Sequence, residues 1–447
     1  MRSGRLLCLI ALAAVGAYSL TMIGGASAAV VPRTLGTTQS QFARVCPRVA
    51  TPGVASCNAI QLLDPALNWR GVHVAAPLKG LGHGPGKKTS TFAGYTPQDL
   101  WSAYGLTSYE PPANTSAATN GPTVAVVDAY NDPNAASDLA VYRSTEGLPA
   151  LCGTSGASTS CVGSFTQEGQ STGSPLPSGN TSWSEEISLD LDMVSAICPD
   201  CSIVLVEASS ATFQDLTTAE ATALSTSGVV AVSNSYGASE FSGELNYNSA
   251  YDSTRAAVTV SAGDGGYGVE FPAADPYVVA VGGTTLSDPS SPGSETVWSG
   301  TGSGCSAYEP NPKWQPETTY CSARTVADVA ADANPSTGVA VYDTYGESGW
   351  LVFGGTSVAS PIVASVFALA GYSGSGDSTT STAALGLYQE AGHLNKVTRG
   401  QNTRHCTIYL CNAADSLTSS SSIVASNPDP GYNGPTGNGT PNGLYGF

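Results

Sequence analysis

No histidine stands between His83 and His393, so the middle of this 447-residue chain lacks the imidazole that usually activates a nucleophile. Charge is scarce too. Only 11% of residues are charged, and 16 Lys and Arg face 34 Asp and Glu, a formal net charge of −18. A chain so short of cations has no electrostatic means of binding nucleic acid or anionic membranes non-specifically. Beyond the first residues no apolar run is long enough to span a bilayer. Internal repeats and coiled-coil heptads are absent as well, which excludes solenoid and fibrous architectures. Cys198-Pro199-Asp200-Cys201 has no second close Cys/His pair to complete a zinc site.

What is present begins with a leader. Arg2 and Arg5, an apolar stretch from Leu6 to Leu20, and Ala26-Ser27-Ala28 are the basic, hydrophobic and small-residue parts of a secretory signal peptide over residues 1–28. Its loss would make the chain two charges more negative and leave it secreted and extracellular. Cys8 lies in the leader. The other ten cysteines fall as neighbours, Cys46 with Cys57, Cys152 with Cys161, Cys198 with Cys201, Cys305 with Cys321 and Cys406 with Cys411, which reads as disulfides in an exported protein.

Residues 29–94 are rich in proline and glycine and weakly periodic. Thr96-Pro97 then opens a short helix, with proline in the first turn. From Thr123 the pattern alternates. Apolar β-branched runs at Thr123 to Val127, Ile203 to Val206, Val229 to Val232, Val258 to Val260 and Val278 to Val281 are separated by helical stretches at Glu185 to Ile197, Phe213 to Leu224 and Ser357 to Ala370. Such a pattern predicts an α/β fold, a parallel sheet with helices on both faces. The polar tail after Gly371 reads as surface loops.

The chemistry centres on Gly354-Gly355-Thr356-Ser357-Val358-Ala359-Ser360-Pro361. Two glycines and a threonine precede a helix of small residues whose N-terminus would offer N–H groups to a developing oxyanion. Pro361 is expected in the first turn, where its missing donor costs nothing. With no histidine available, a base must be a carboxylate. Glu186 and Asp190, four apart in Ser184-Glu185-Glu186-Ile187-Ser188-Leu189-Asp190, would share one helix face beside an apolar stripe. Ser182-Trp183-Ser184-Glu185 fits a capping box that starts this helix. Ser261-Ala262-Gly263-Asp264-Gly265-Gly266 places an acid on a glycine turn, where a protonated Asp264 could donate to an oxyanion.

Together Glu186-x-x-x-Asp190, Gly263-Asp264-Gly265 and Gly-Thr-Ser357-x-Ala-x-Pro resemble the sedolisins, the serine-carboxyl peptidases; Val232 to Gly237 and Phe271 to Thr284 extend the likeness. The resemblance covers roughly residue 95 to the end. It implies a subtilisin-like fold over residues 95–447 and a triad of Ser357, Glu186 and Asp190, with Asp264 serving the oxyanion hole. It also implies Ser235, Tyr236 and Gly237 along the backbone of a polypeptide substrate, and acid-acting hydrolysis by a secreted, bacterial-type, monomeric serine endopeptidase. Tripeptidyl exopeptidase action stays open.

Two departures stand out. Only the short stretch 29–94 could serve as a pro-region, with maturation near Tyr95. The stretches matching the family calcium site read Lys396-Val397-Thr398 and Gly431-Tyr432-Asn433, a cation and an amide in place of carboxylates, so the metal is expected to be lost and Lys396 to take its place, with Asp429 as one acceptor. A subtilisin triad with Asp128 as acid fails for want of a histidine before Ser357. An α/β-hydrolase would need a second glycine after the serine, although His393 and His405 follow it. A different class of reading is a peptide-binding or adhesive module on a catalytically weak or inactive peptidase scaffold.

Overall fold

The computed structural model describes residues 41–74, 92–107, 121–156, 161–315, 321–374, 382–414 and 431–447. The leader and Asp429 lie outside them.

The apolar runs pair in parallel. Thr123–Ala129 sits inside a nine-stranded sheet, with Ser202–Ala208 and then Val162–Gly169 on one side. On the other lie Val229–Asn234, Ala257–Ser261, Val279–Thr285 and Val329–Asp332. Every residue of Ser202–Ala208 and of Ala257–Ser261 is buried. Successive side chains point to opposite faces, so both faces of the sheet are covered, as continuous apolar strands require. The first strand of this sheet along the chain is central, and the next three, Leu151–Cys152, Val162–Gly169 and Ser202–Ala208, lie on one side of it while the later ones lie on the other. That reversal opens a crevice at the carboxyl ends of Thr123–Ala129 and Val229–Asn234, where α/β sheets bind ligands.

The helix Thr181–Ile197 packs against the helix Thr356–Leu369, which also lies on Val229–Asn234 and Ala257–Ser261. Thr96 caps Pro97–Ala103 with a reciprocal capping box to Asp99, as its Thr-Pro start predicts. The five neighbouring cysteine pairs are all disulfides.

Three local expectations are corrected. The cap of Thr181–Ile197 is Asn180, whose side chain accepts from the N–H groups of Ser182 and Trp183; Ser182 already lies inside the first turn. Pro361 sits beyond the first turn of Thr356–Leu369 and therefore removes a regular helical bond. The carbonyl of Ser357 faces the Ser235 hydroxyl at 3.4 Å instead. The tail is not all surface loop: residues 432–441 are buried, and Tyr432 packs with Tyr388 and Tyr409.

Residues 41–74 are woven into the body. Phe42–Arg44, Ile60–Leu62, Gly349–Gly354 and Val339–Asp343 form a four-stranded antiparallel sheet. Ser56–Cys57 joins Tyr236–Ser239 and Glu270–Phe271 in a three-stranded one.

Candidate active site

Gly355, in a backbone conformation with φ of 101°, turns the chain from the strand Gly349–Gly354 into the helix that carries Ser357. Ser357 is fully buried, and its hydroxyl donates to the Ser235 carbonyl at 3.3 Å. The neighbouring helix supplies Glu186 and Asp190, one turn apart and both fully buried. Asp190 Oδ1 accepts from the Ser235 hydroxyl at 2.8 Å. No hydrogen bond of ordinary length and angle reaches either Glu186 oxygen. The Ser357 hydroxyl is nonetheless close enough to favour the ionised form of Glu186.

Burial, the Asp190 charge and the Asp128 charge, in that order, push Glu186 well above the usual carboxylate range. Asp190 is raised chiefly by burial, and Asp128 by burial and then by Asp190 and Glu207. Three buried carboxyls this close cannot all ionise in a dry site, so the cluster retains protons. Sequence reasoning weighed Asp128 only as the acid of a histidine triad. Its signal was there, a carboxylate at the end of an apolar β-branched run, where α/β sheets open their crevice.

Asp264 arrives on the opposite side. Its Oδ1 accepts from the Thr356 N–H at 2.8 Å and the Thr356 hydroxyl at 3.0 Å, and that hydroxyl in turn accepts from the Gly263 N–H at 3.1 Å. Asp264 Oδ2 is buried and makes no hydrogen bond. Burial pushes Asp264 up to about 7, against the Thr356 hydrogen bond and the Arg44 guanidinium, which both favour its ionised form. A carboxyl held protonated there has its proton to give on the Oδ2 side.

Ser235, Tyr236 and Gly237 are buried beside Ser357, and the chain's own segment around Cys57 pairs along them. Tyr236 pairs with Cys57 and Gly237 with Ser56, and the Asn58 N–H donates to the Ser235 carbonyl at 3.0 Å. The Ser357 N–H donates to the Asn58 carbonyl at 3.1 Å. The sequence hinted at this segment only through its extended composition, Ser56 to Leu62, in which Cys57, Ala59 and Leu62 are buried.

The two stretches that match the family calcium site do meet. Asn395 and Thr440 exchange backbone hydrogen bonds, and the Asn433 side chain donates to the Val397 carbonyl while its oxygen accepts from Thr436. A Cβ on Gly431 would stand 2.1 Å from Lys396 Nζ, so the lysine lies over this loop. An ammonium and a committed amide do not fit Ca²⁺, which wants several hard anionic oxygens. Elsewhere, Asp132, Asp138 and Asp343 bring carboxylate oxygens within 4.8 Å of one another. They already accept from the N–H groups of Asn134, Thr344 and Tyr345.

The sequence profile described as the subtilase family matches residues 151–383. Kumamolisin from Bacillus sp. (strain MN-32) is 40% identical over 122 residues, 24% of this chain and 21% of the relative. Sedolisin from Pseudomonas sp. (strain 101) is 39% identical over 115 residues, 23% of this chain and 19% of the relative. These matches therefore span about a fifth of the curated relatives' length. The structure of Pseudomonas sedolisin, a serine-carboxyl proteinase complexed with two molecules of pseudo-iodotyrostatin, superposes with a TM-score of 0.59 at 22% identity, covering 78% of this chain and 95% of that one.

Proposed function

The chain belongs to the subtilase family, in its sedolisin branch, and from that premise we propose that it is a secreted serine-carboxyl peptidase hydrolysing peptide bonds at acid pH. The observation that carries this reading is the meeting of Ser357 with Glu186 and Asp190 on one side and Asp264 on the other, with no histidine among them. Ser357 attacks the peptide carbonyl, Glu186 accepts its proton, and Asp190 orients Glu186. The Ser357 N–H and a protonated Asp264 stabilise the oxyanion. Glu186 must be ionised to act as base, whereas the covered cleft holds it protonated. Entry of water as the covering segment leaves removes the desolvation that raises it.

Residues 1–28 are assigned to the signal and 29–94 to a pro-region, of which 41–74 blocks the cleft, with maturation near Tyr95. Export accords with the five disulfides, and among the described residues no helix is long and apolar enough to cross a membrane. The enzyme acts as a monomer on polypeptides, and Lys396 replaces the family's calcium.

The test is digestion of one unstructured protein at several pH values with all cuts mapped. Cuts inside the substrate mark an endopeptidase, and serial release of tripeptides marks an exopeptidase. Ser357→Ala and Glu186→Gln should each lose about 10³-fold or more in kcat, since members of a cooperative triad are costly and non-additive to remove. Near-parental turnover in Glu186→Gln would overturn the carboxylate base. Labelling of Ser357 by a serine-directed phosphonate separates an enzyme from an inactive binding scaffold.

A further inference from the structure

Ser56 to Gln61 crosses the cleft as an extended peptide. Before Asn58 it pairs with the edge at Tyr236 and Gly237; after Ala59, Ile60 and Gln61 pair antiparallel with Gly354 and Phe353. The exchange of partners falls at the Asn58–Ala59 bond, beside Ser357. A Cβ on Gly355 would stand 2.1 Å from the Asn58 carbonyl oxygen and 2.7 Å from Asp264 Oδ2, so those two oxygens flank the same point above Gly355, less than about 5 Å apart. The Asn58 carbonyl therefore rests between the Ser357 N–H and the free oxygen of Asp264, where an oxyanion would form.

Its side chain is equally placed. Asn58 is 3% exposed, and its Nδ2 donates to Ser261 Oγ at 3.0 Å and to Glu270 Oε2 at 3.3 Å. Gly237 and Gly263 admit Glu270 to this pocket: a Cβ on Gly237 would stand 2.6 Å from Glu270 Oε2, and one on Gly263 would stand 2.6 Å from its Cδ.

We infer that the pocket formed by Ser261 and Glu270 is the primary specificity pocket, that it selects the carboxamide of asparagine on the acyl side of the cleaved bond, and that Asn58–Ala59 is the chain's own bond of that kind. The inference rests on the peptidase reading above. Two acceptors converge on one NH₂ group, which a carboxamide satisfies. Glu270 is half-buried, with Arg48 4.0 Å from its other oxygen, so an aliphatic side chain would leave Glu270 Oε2 without that donor, and an aspartate would bring a second carboxyl with no donor of its own when ionised.

The reaction is a hydrolysis. Ser357 Oγ bonds to the Asn58 carbonyl carbon as its proton passes to Glu186. The Asn58 C–Ala59 N bond breaks with that proton going to the Ala59 nitrogen, and water then releases the acyl group as the Asn58 carboxylate. One contact holds the cut ends together: the Val45 N–H, on the acyl side, donates to the Ala59 carbonyl at 3.1 Å, and the Cys46–Cys57 disulfide keeps the acyl end close to Val45.

The full chain incubated at about pH 4 should yield a new N-terminus at Ala59, absent from Ser357→Ala. On peptides differing only at the acyl-side residue (Asn, Gln, Asp, Leu, Lys), kcat/KM for Asn should exceed the others about tenfold or more. That ratio should collapse in Glu270→Ala and in Ser261→Ala. An enzyme that degrades an unstructured protein without preferring Asn overturns the pocket and leaves the peptidase reading standing. A chain that cuts nothing overturns that reading and the cut at Ala59 with it. The pocket is then decided in the Ser357→Ala chain by hydrogen exchange over residues 56–61. Exchange about tenfold faster in Asn58→Leu supports it, and unchanged exchange overturns it.

Discussion

Asp264 is the residue at which acidity and catalysis meet. Burial raises it to about 7, so at acid pH it keeps the proton that an oxyanion needs. As pH rises through that value the carboxylate forms and repels the developing charge. Turnover should therefore fall on the alkaline side as Asp264 ionises, at a pH set by how much of its burial survives once the covering segment has left and by coupling to nearby carboxyls. Asp264→Asn keeps a neutral donor at every pH. In a pH–kcat profile the variant should lose the alkaline limb while retaining the acid one, which reports protonation of the base. An unchanged alkaline limb would remove Asp264 from the oxyanion role. The glycine turn around Asp264 was legible in the sequence. Its raised pKa was not, because that follows from burial by distant parts of the chain and from the Glu270 charge, which outweigh the opposing Thr356 hydrogen bonds and Arg44 guanidinium.

At the scale of elements, strands and helices were read close to their observed limits wherever apolar periodicity was strong. Phe213 to Leu224, for example, is the helix Phe213–Ser225. The helix Ala135–Glu146 escaped notice because its mixed small and polar residues carry little apolar stripe. The segment 41–74 escaped because its strands are only two or three residues long and gain meaning only through distant partners. A disulfide closing a loop of this size contributes about 3 kcal/mol in the chain-entropy model. Replacing Cys46 and Cys57 together by serine should loosen the segment and shorten the lag before proteolysis in freshly purified full chain. An unaltered lag would show that the disulfide does not govern release. In the C-terminal loops, Lys396→Ala should lower the Tm, whereas a chelator should change it little. A large loss on chelation, reversed by Ca²⁺, would refute the replacement of metal by lysine.

For the molecule as a whole, buried carboxyls set the response to pH. Burial raises Glu185, Glu207 and Glu220 to about 8 and Asp132 to about 7, and it pushes Asp192, Asp275 and Asp332 well above their usual range. His73 is raised as well, chiefly by its hydrogen bond to Asp99. A group whose folded pKa lies above its unfolded value stabilises the fold fully below the unfolded value, near ~4 for a carboxyl, and loses that contribution as pH climbs through the folded value. Stability should thus be greatest in acid and decline between about pH 4 and pH 8. Thermal unfolding of Ser357→Ala, which cannot digest itself under the triad reading, should show a Tm lower at neutral pH by on the order of 10 °C. A Tm that rises from acid to neutral pH would contradict this account.

The sequence by itself determined the α/β class, the disulfide pairs and the serine motif, along with the carboxylate pair and the glycine-turn aspartate. These are short-range signals, written in periodicity, spacing and the absence of histidine, and they need no knowledge of the rest of the chain. Only the tertiary structure decided what stands beside what. It set Asp128 against Asp190 at the carboxyl end of the central strand, and it laid Asn58 across Ser357, between Ser235 on one side and Ser261 and Glu270 on the other. Those contacts join residues up to hundreds of positions apart, where pairing depends on sheet order and burial. The same burial turns a dilute set of carboxylates, unremarkable as composition, into proton-holding groups, because desolvation acts on the folded molecule and not on the chain.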